Sequence, residues 1–135
     1  MIALDTNVLS HLMAEDPVAT RWFRDLPSRE LGTTAIARAE IRVGVASLPP
    51  GKRRQSLQDR ADQILALLAD RTLPLDSAAA DAYGNLMSDR RRTGRPMPLA
   101  DAQIAAICLA RDAALATRNV KDFEGCGLTL INPFD

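Results

Sequence analysis

The chain has 135 residues, of which 47% are hydrophobic, and equal numbers of acidic and basic residues give a formal net charge of zero. This length predicts a single domain, residues 1–135, and this composition excludes a largely disordered protein. The zero net charge disfavours a protein that holds nucleic acid by charge alone. The apolar stretches are too short for a membrane span and the N-terminus lacks the features of a secretion signal, so a cytoplasmic location without membrane contact is expected.

The hydrophobic pattern of the first half predicts short strands that alternate with helices. The predicted elements are a strand at 2–4, a short helix around Val8–Leu12, a helix that begins at Asp16-Pro17, a strand at 31–33 and a helix from Thr34 to about Ala46. Asp-Pro at a helix start is a strong signal, because aspartate caps the first turn and proline fits the first helical position. The segment Pro49-Pro50-Gly51 must end the last of these helices.

The second half continues the same alternation. The predicted elements are a helix from about Lys52 to Ala69, an extended segment at 72–75, a helix capped by Asp76 that reaches Met87, a loop at 95–98, a helix at 99–111 and strands at 114–116 and 128–131. Strands joined by helical crossovers predict an α/β fold with three layers, α/β/α, around a mainly parallel sheet of four to five short strands. In such sheets the ligand site lies beyond the carboxyl ends of the strands.

Two cysteines, Cys108 and Cys126, occur in the chain. They have neither the CxxC spacing of a redox motif nor the cysteine–histidine pattern of a zinc site. We therefore expect both to be reduced thiols. The single histidine, His11, cannot supply a pair of histidines for acid–base catalysis.

Three acidic residues interrupt the apolar patterns, and Asp5 is the first. It directly follows the opening strand, at the edge where an α/β sheet binds its ligands. Helix capping is the ordinary alternative, since aspartate caps well.

Asp101 is the second acidic residue that interrupts an apolar pattern. Ile104 and Cys108 place it on the apolar stripe of its helix, within the first turn. A first-turn aspartate also interacts favourably with the helix dipole, so capping again remains open.

Glu40 is the third of these acids. Its helical neighbours Ile36 and Val43 share one face with it, which predicts that Glu40 points toward the core. A carboxylate in that position is costly unless it is paired or bound to a cation. A salt bridge to Arg38 or Arg42, or a swing of the side chain to the rim of that face, is the structural alternative.

The three acids together predict a cation site. Like charges that are brought together repel one another, and a hard divalent cation such as Mg²⁺ or Mn²⁺ prefers carboxylates, waters and phosphate oxygens. A cation held in this way can activate water and stabilise the charge that develops when a phosphodiester is cleaved. The residues therefore favour carboxylate–metal chemistry around Asp5, Glu40 and Asp101.

Four segments in this order resemble the PIN-domain family, and VapC- and FitB-like toxins of bacterial toxin–antitoxin pairs in particular. They are Leu4-Asp5-Thr6-Asn7, the segment Ala39–Gly44 around Glu40, Leu99-Ala100-Asp101, and Thr117–Phe123, followed by Asn132-Pro133-Phe134. The resemblance covers essentially the whole chain. It implies a PIN fold and an Mg²⁺- or Mn²⁺-dependent endoribonuclease.

The resemblance also implies roles for single residues. Asp5, Glu40 and Asp101 carry over as metal-binding carboxylates, and Thr6 and Thr117 as hydroxyls that orient carboxylates and water. Asn119 stands where the family often has a fourth acid, and it can offer only an amide oxygen. Asp122, three residues later, is expected to fix a turn more than to serve the site. This departure puts a second metal site in doubt.

The resemblance further implies partners: an RNA substrate, a homodimeric state and a VapB- or FitA-like antitoxin, through which alone the chain would meet DNA. Two basic groups are candidates for RNA phosphate contacts, with solvated helix ends as the alternative. They are Lys52–Arg54 with Arg60, and Arg90–Arg92 with Arg95.

Two other functions compete with the nuclease. A small-molecule phosphatase of the haloacid dehalogenase type also uses an aspartate at a strand end, but it generally has a second aspartate where this chain has Asn7. A non-catalytic PIN-like module that binds RNA or a protein partner is the stronger rival, and Asn119 is its main support.

Overall fold

A computed structural model describes the whole chain, Met1–Asp135, as a five-stranded sheet with seven α-helices. The strands are β1 (Ile2–Leu4), β2 (Leu31–Thr34), β3 (Thr72–Leu73), β4 (Ala114–Ala116) and β5 (Leu130–Ile131). The helices are α1 (Thr6–Met13), α2 (Pro17–Arg24), α3 (Ala35–Ala46), α4 (Lys52–Leu67), α5 (Ser77–Arg92), α6 (Leu99–Arg111) and α7 (Val120–Phe123). The predicted α/β architecture is confirmed. No helix is both long enough and apolar enough to span a membrane.

The sheet has the strand order β3-β2-β1-β4-β5, and all neighbouring strands are parallel. Successive side chains of a strand point to opposite faces of its sheet. In β1 both Ala3 and Leu4 are fully buried, and in β4 both Leu115 and Ala116 are. Both faces of the sheet are therefore covered, as the predicted α/β/α layering requires.

The strand order reverses beside β1, and this reversal fixes where the site lies. The chain runs from β1 outward to β2 and β3, then returns to the other side of β1 to form β4 and β5. Parallel sheets open a crevice at such a reversal, outside the carboxyl ends of the two strands. Asp5 follows β1 and Thr117 follows β4. The topology therefore brings together two side chains that are 112 residues apart in sequence.

The predicted helix caps are confirmed at three helix starts. The side chains of Asp16, Thr34 and Asp76 accept hydrogen bonds of 2.9, 3.1 and 3.0 Å from the backbone N–H groups three residues further on. These bonds satisfy donors that have no partner within the helix. Local sequence thus sets the start of α2, α3 and α5.

Several predicted boundaries are wrong in length. Helix α4 ends at Leu67 and strand β3 at Leu73, both earlier than predicted, whereas β5 begins only at Leu130. Helix α5 continues to Arg92, and the short helix α7 was not predicted. The extension of α5 has a tertiary cause, because Arg90 is buried and its guanidinium bonds the carbonyl oxygen of Glu124 at 2.9 Å.

Both cysteines are buried and neither forms a disulfide. Burial and, to a smaller extent, the charge of Asp5 raise the pKa of Cys108 to about 12. The Cys126 thiol lies 3.6 Å from the sulfur of Met97. Because a thiol reacts as its thiolate, Cys108 is an inert part of the core beneath the crevice.

Candidate active site

Asp5 lies at the base of the crevice and is only 4% exposed. Its backbone N–H donates to the carbonyl of Ala116 at 2.9 Å, which ties the end of β1 to the end of β4. The carboxylate accepts three hydrogen bonds: Oδ1 from the N–H of Thr6 at 2.8 Å, and Oδ2 from the Thr117 hydroxyl at 2.8 Å and from Asn7 Nδ2 at 3.2 Å. The predicted capping role of Asp5 is therefore confirmed, and the same carboxylate lies at the strand ends where the topology favours a ligand site.

Thr117 and Asn7 hold Asp5 in place. The fully buried Thr117 hydroxyl donates to Asp5 and accepts from Asn7 Nδ2 at 3.2 Å and from the N–H of Asn119 at 3.1 Å. Asn7 Oδ1 in turn accepts from the N–H of Arg118 at 3.0 Å. The positions of both threonine hydroxyls agree with the orienting role expected for them. The structural part of Asn7 was missed, and its only sequence signal was its place in Asp-Thr-Asn.

We expect Thr117→Val to lower the free energy of unfolding by about 1–2 kcal/mol, because valine has the same shape but lacks the buried hydroxyl that donates to Asp5 and accepts from Asn7 and Asn119. Thr117→Ser keeps the hydroxyl and is the matched control. Denaturant unfolding of the two variants measures the difference. Equal stability of the valine and serine variants would contradict the bonding described here.

The prediction that Glu40 points into the core is wrong. The buried face of α3 consists of Ala37, Ile41 and Val45. These residues are spaced by four, which turns Glu40 to the solvent side together with Val43, 65% of which is exposed. The error arose because Ile36 and Val43 are apolar without being buried, so they marked the wrong face.

Glu40 nevertheless joins the site. Its Oε1 accepts a 2.6 Å hydrogen bond from the hydroxyl of Thr6, the residue that follows Asp5. Of the two predicted alternatives, the salt bridge to a neighbouring arginine does not form, since Arg42 pairs with Asp62 at 2.6 Å. The other alternative, a position at the rim of the buried face, is the one observed. Glu40 therefore faces the crevice from its rim.

Asp101 lies half-buried in the first turn of α6. Its pKa is raised to about 6, mainly by burial and then by the charges of Asp5, Asp122 and Glu40 in that order. The pKa of Asp5 is raised as well, first by burial and then by Glu40, although its hydrogen bonds act in the opposite direction. The structure thus brings all three predicted acids into one electrostatic cluster.

Asp122 belongs to this cluster as well. Its charge acts on Asp101 more strongly than that of Glu40 does. Asn119, the position that aligns with the family's fourth acid, is exposed and uses its backbone N–H to bind Thr117. The unpredicted helix α7 carries Asp122, which explains why sequence spacing alone did not place it at the site.

The end of the chain packs on the rim of the crevice. His11 Nδ1 lies 3.0 Å from the carbonyl oxygen of Asn7, and the other ring nitrogen lies 2.9 Å from Arg118 Nη1. Phe134 packs edge-on against His11 and lies under the Arg118 guanidinium, 5.5 Å from ring centre to Cζ. These contacts fasten the segment after β4 against α1.

The carboxylates suit a hard cation by their chemistry, although they do not form a preformed cage. No group of three or more His, Cys, Asp or Glu side chains has the spacing of metal ligands. The donor set consists of carboxylate oxygens that repel one another and are partly desolvated, and a divalent cation relieves both costs. That Asp5, Glu40 and Asp101 hold a metal stays a prediction.

Comparison with known proteins agrees with this geometry. The family model described as "PIN domain" matches residues 2–124. The chain is 39% identical to the "VapC ribonuclease Y4jK" of Sinorhizobium fredii, over 100% of this chain and 99% of that protein. It is 35% identical to the "Toxin FitB" of Neisseria gonorrhoeae, over 99% of each chain. A solved structure of FitAB bound to an IR36 DNA fragment superposes with a TM-score of 0.92 at 35% identity, covering 100% of this chain and 96% of that one. The chain therefore belongs to the PIN-domain family, in the group that contains the VapC ribonucleases and the FitB toxin.

Proposed function

We propose that residues 1–135 form a single PIN domain that acts as a metal-dependent endoribonuclease, the toxin of a toxin–antitoxin pair. The observation that carries this proposal is the convergence of Asp5, Asp101, Asp122 and Glu40 at the strand-order reversal. Folding gains nothing from bringing four carboxylates together, since the charges of Asp5, Asp122 and Glu40 act unfavourably on Asp101, so a function is the reason to keep them together. Full-length relatives that are named ribonucleases support the same reaction class.

In this proposal Asp5, Glu40 and Asp101 hold Mg²⁺ or Mn²⁺ with the help of Asp122. The bound cation would activate water and stabilise the negative charge that develops on the phosphodiester. Thr117 and Asn7 fix the Asp5 carboxylate through Oδ2, and Thr6 orients Glu40 through its hydroxyl. Such second partners hold metal ligands at the required orientation. Asn119 stays a candidate for positioning substrate or water from the rim.

We further propose that an antitoxin of the VapB or FitA kind neutralises the active form, a homodimer. A related FitAB complex is bound to DNA in its solved structure, so contact with DNA would come through the antitoxin. Exposed apolar side chains near the acids support a partner that covers the crevice. Val43 follows Glu40 on the same helix, and Leu99 at the start of α6, 61% exposed, precedes Asp101.

Metal removal tests the nuclease directly. Purified, antitoxin-free protein is incubated with total cellular RNA in Mg²⁺, in Mn²⁺ and in EDTA, and the products are separated on a denaturing gel. We expect discrete fragments with either cation, none in EDTA, and recovery when Mg²⁺ is added back. A preparation of Asp5→Asn, purified in the same way, controls for contaminating nucleases.

The same experiment separates the proposal from its rival. A non-catalytic binding module retains RNA with or without the cation and leaves it intact, so folded protein that binds but never cuts would favour that reading. Fragments that persist equally in EDTA would overturn the metal dependence. Hydrolysis of small phosphate esters without cleavage of RNA would point instead to a phosphatase.

A further inference from the structure

A cavity of about 390 Å³ lies along α5, beside the loop that follows α7. The residues that matter for its chemistry are Asn85, Arg90, Thr93, Arg95, Gly125 and Cys126. None of the clustered carboxylates lines it. The cavity is therefore distinct from the acidic crevice. Asp122 of the acidic cluster lies within α7, and Gly125, which lines the cavity, lies just after the end of this helix.

Arg90 is a buried cation without a counter-ion. Only 7% of it is exposed, and none of the chain's four ion pairs includes it. Its Nη1 donates to the Glu124 carbonyl, and its Nε is the one buried side-chain polar atom in the structure without a hydrogen-bond partner. The negative end of the α5 dipole stabilises this guanidinium only in part. The free-energy cost of burying an unpaired charge is far larger than the stabilisation that a helix dipole gives.

A second guanidinium converges on the same place. A methyl group built on Gly125 would lie 3.4 Å from Arg95 Nη1 and 3.8 Å from Arg90 Nη1. Both arginines also act to lower the pKa of Cys126, against the stronger effect of burial. Asp89 lines the cavity too, but its carboxylate is paired with Arg92. Two arginines thus face one space with no free carboxylate to balance them.

We propose that this cavity binds a backbone phosphate of the RNA strand, at a position away from the bond that the carboxylates cleave. The proposal rests on the nuclease function and adds the site that holds its substrate. Guanidinium groups match phosphate oxygens in geometry and charge, and a tetrahedral anion fits between two of them. Gly125 keeps the entrance free of a side chain, and its φ of 81° favours glycine there.

The electrostatics of the molecule supply the reason for such a site. The chain has no net charge, and its crevice is lined by acids that repel a polyanion. Phosphate contacts remote from the reacting bond position a nucleic acid without reading its sequence. The arginines of the cavity would therefore attract the RNA backbone and offset the repulsion between that backbone and the acidic crevice.

Binding to a strand that cannot be cut tests the cavity. A fluorescent 2′-O-methyl RNA oligonucleotide in EDTA is titrated with wild-type protein, Arg95→Gln and Arg91→Gln, and its anisotropy is followed at several salt concentrations. Arg91 is exposed, does not line the cavity and carries the same charge, so it is the matched control. We expect Arg95→Gln to weaken binding at least about tenfold and to reduce the salt slope by about one, with Arg91→Gln within about twofold of wild type.

Inorganic phosphate distinguishes the possible sources of the anion. At constant ionic strength, we expect phosphate to compete with the oligonucleotide for wild-type protein and not for Arg95→Gln. Competition by phosphate without any effect of Arg95→Gln on RNA binding would overturn the RNA assignment and leave a site for a free anion. Equal losses in Arg95→Gln and Arg91→Gln would overturn the cavity as a binding site.

The buried arginine provides a second variant. We expect Arg90→Gln to weaken RNA binding at least as much as Arg95→Gln, and circular dichroism checks that it folds. If it does not fold, the result for Arg95→Gln decides alone. This binding experiment does not depend on cleavage. A protein that binds RNA through Arg95 but never cuts it would therefore disprove the proposed nuclease function and still support the cavity as a phosphate-binding site.

Discussion

Replacing Asp101 with asparagine is expected to abolish RNA cleavage and, at the same time, to stabilise the metal-free protein. In the proposed mechanism Asp101 holds the cation, so its loss should remove several kcal/mol of transition-state stabilisation, which corresponds to a rate at least about 100-fold lower. The stability gain comes from the same charge, since Asp5, Asp122 and Glu40 all repel it and burial desolvates it.

Asp101→Asn has two opposing effects on stability: it removes an unfavourable charge, and it loses a favourable interaction with the helix dipole. A pKa raised from 3.8 to about 6 corresponds to roughly 3 kcal/mol at neutral pH, which solvent screening of the half-buried group reduces to between about 1 and 2 kcal/mol. Asparagine gives up the favourable interaction with the α6 dipole, worth about half a kcal/mol. We therefore expect a net gain of about 1 kcal/mol, or a melting temperature about 3 °C higher.

The pH dependence follows from the direction of this shift. Because the pKa of Asp101 is higher in the folded state, its unfavourable effect is absent below the unfolded pKa near 3.8 and is complete above about 6. The advantage of Asp101→Asn should thus grow as the pH rises through this range. Thermal unfolding in EDTA from pH 4 to 7.5 measures it, with Asp81→Asn on the exposed surface of α5 as control.

Two outcomes would count against this account. If Asp101→Asn cleaves RNA at the wild-type rate, Asp101 is not part of the catalytic site. A stability difference that does not change with pH would mean that the carboxylates do not act on one another as the structure indicates. Asp81→Asn should leave both activity and its pH profile close to those of wild type.

The second large effect is expected from Gly32→Ala in strand β2. A Cβ atom there would overlap the backbone carbonyl oxygen of Arg71, and the side chain of Arg71 is itself fixed by a 2.6 Å hydrogen bond from Nε to the carbonyl oxygen of Leu31. The contact is with backbone, so no side-chain rotation relieves it. We expect the free energy of unfolding to fall by about 2–3 kcal/mol, which lowers the melting temperature by about 7–10 °C.

Gly84→Ala is the matched control for this substitution. Gly84 lies inside α5, and a Cβ there meets nothing within 4 Å. Alanine should stabilise the helix by up to about 1 kcal/mol, because it restricts the unfolded chain and has the higher helix propensity. A Gly32→Ala protein as stable as wild type would show that the segment before β3 can move away from β2.

The features that sequence predicted best are those that depend on local rules. Asp16, Thr34 and Asp76 were recognised as caps because a capping side chain bonds its own helix. The strands at 2–4 and 114–116 were found because short buried parallel strands are apolar throughout. The carboxyl-edge rule then placed Asp5 at the site without knowledge of the strand order.

The features that sequence missed depend on contacts distant along the chain. Glu40 was assigned to the wrong face of α3 because no local signal shows which apolar side of a helix meets the sheet. Arg90 looked like part of a solvated basic helix end, yet it is buried against the loop after α7. Asp122 reaches the cluster through a four-residue helix, which is too short to leave a periodic pattern.

The hydrogen bond between Asp5 and Thr117 determines when, during synthesis of the chain, the crevice can form. A ribosome makes Asp5 almost at once, but the hydroxyl that holds it, and the strand β4 beside it, come from the last fifth of the chain. A nascent chain released or stalled before that point has its first carboxylate and no crevice around it. If this protein cuts RNA as proposed, it is harmless to the message that encodes it until its own translation is nearly finished.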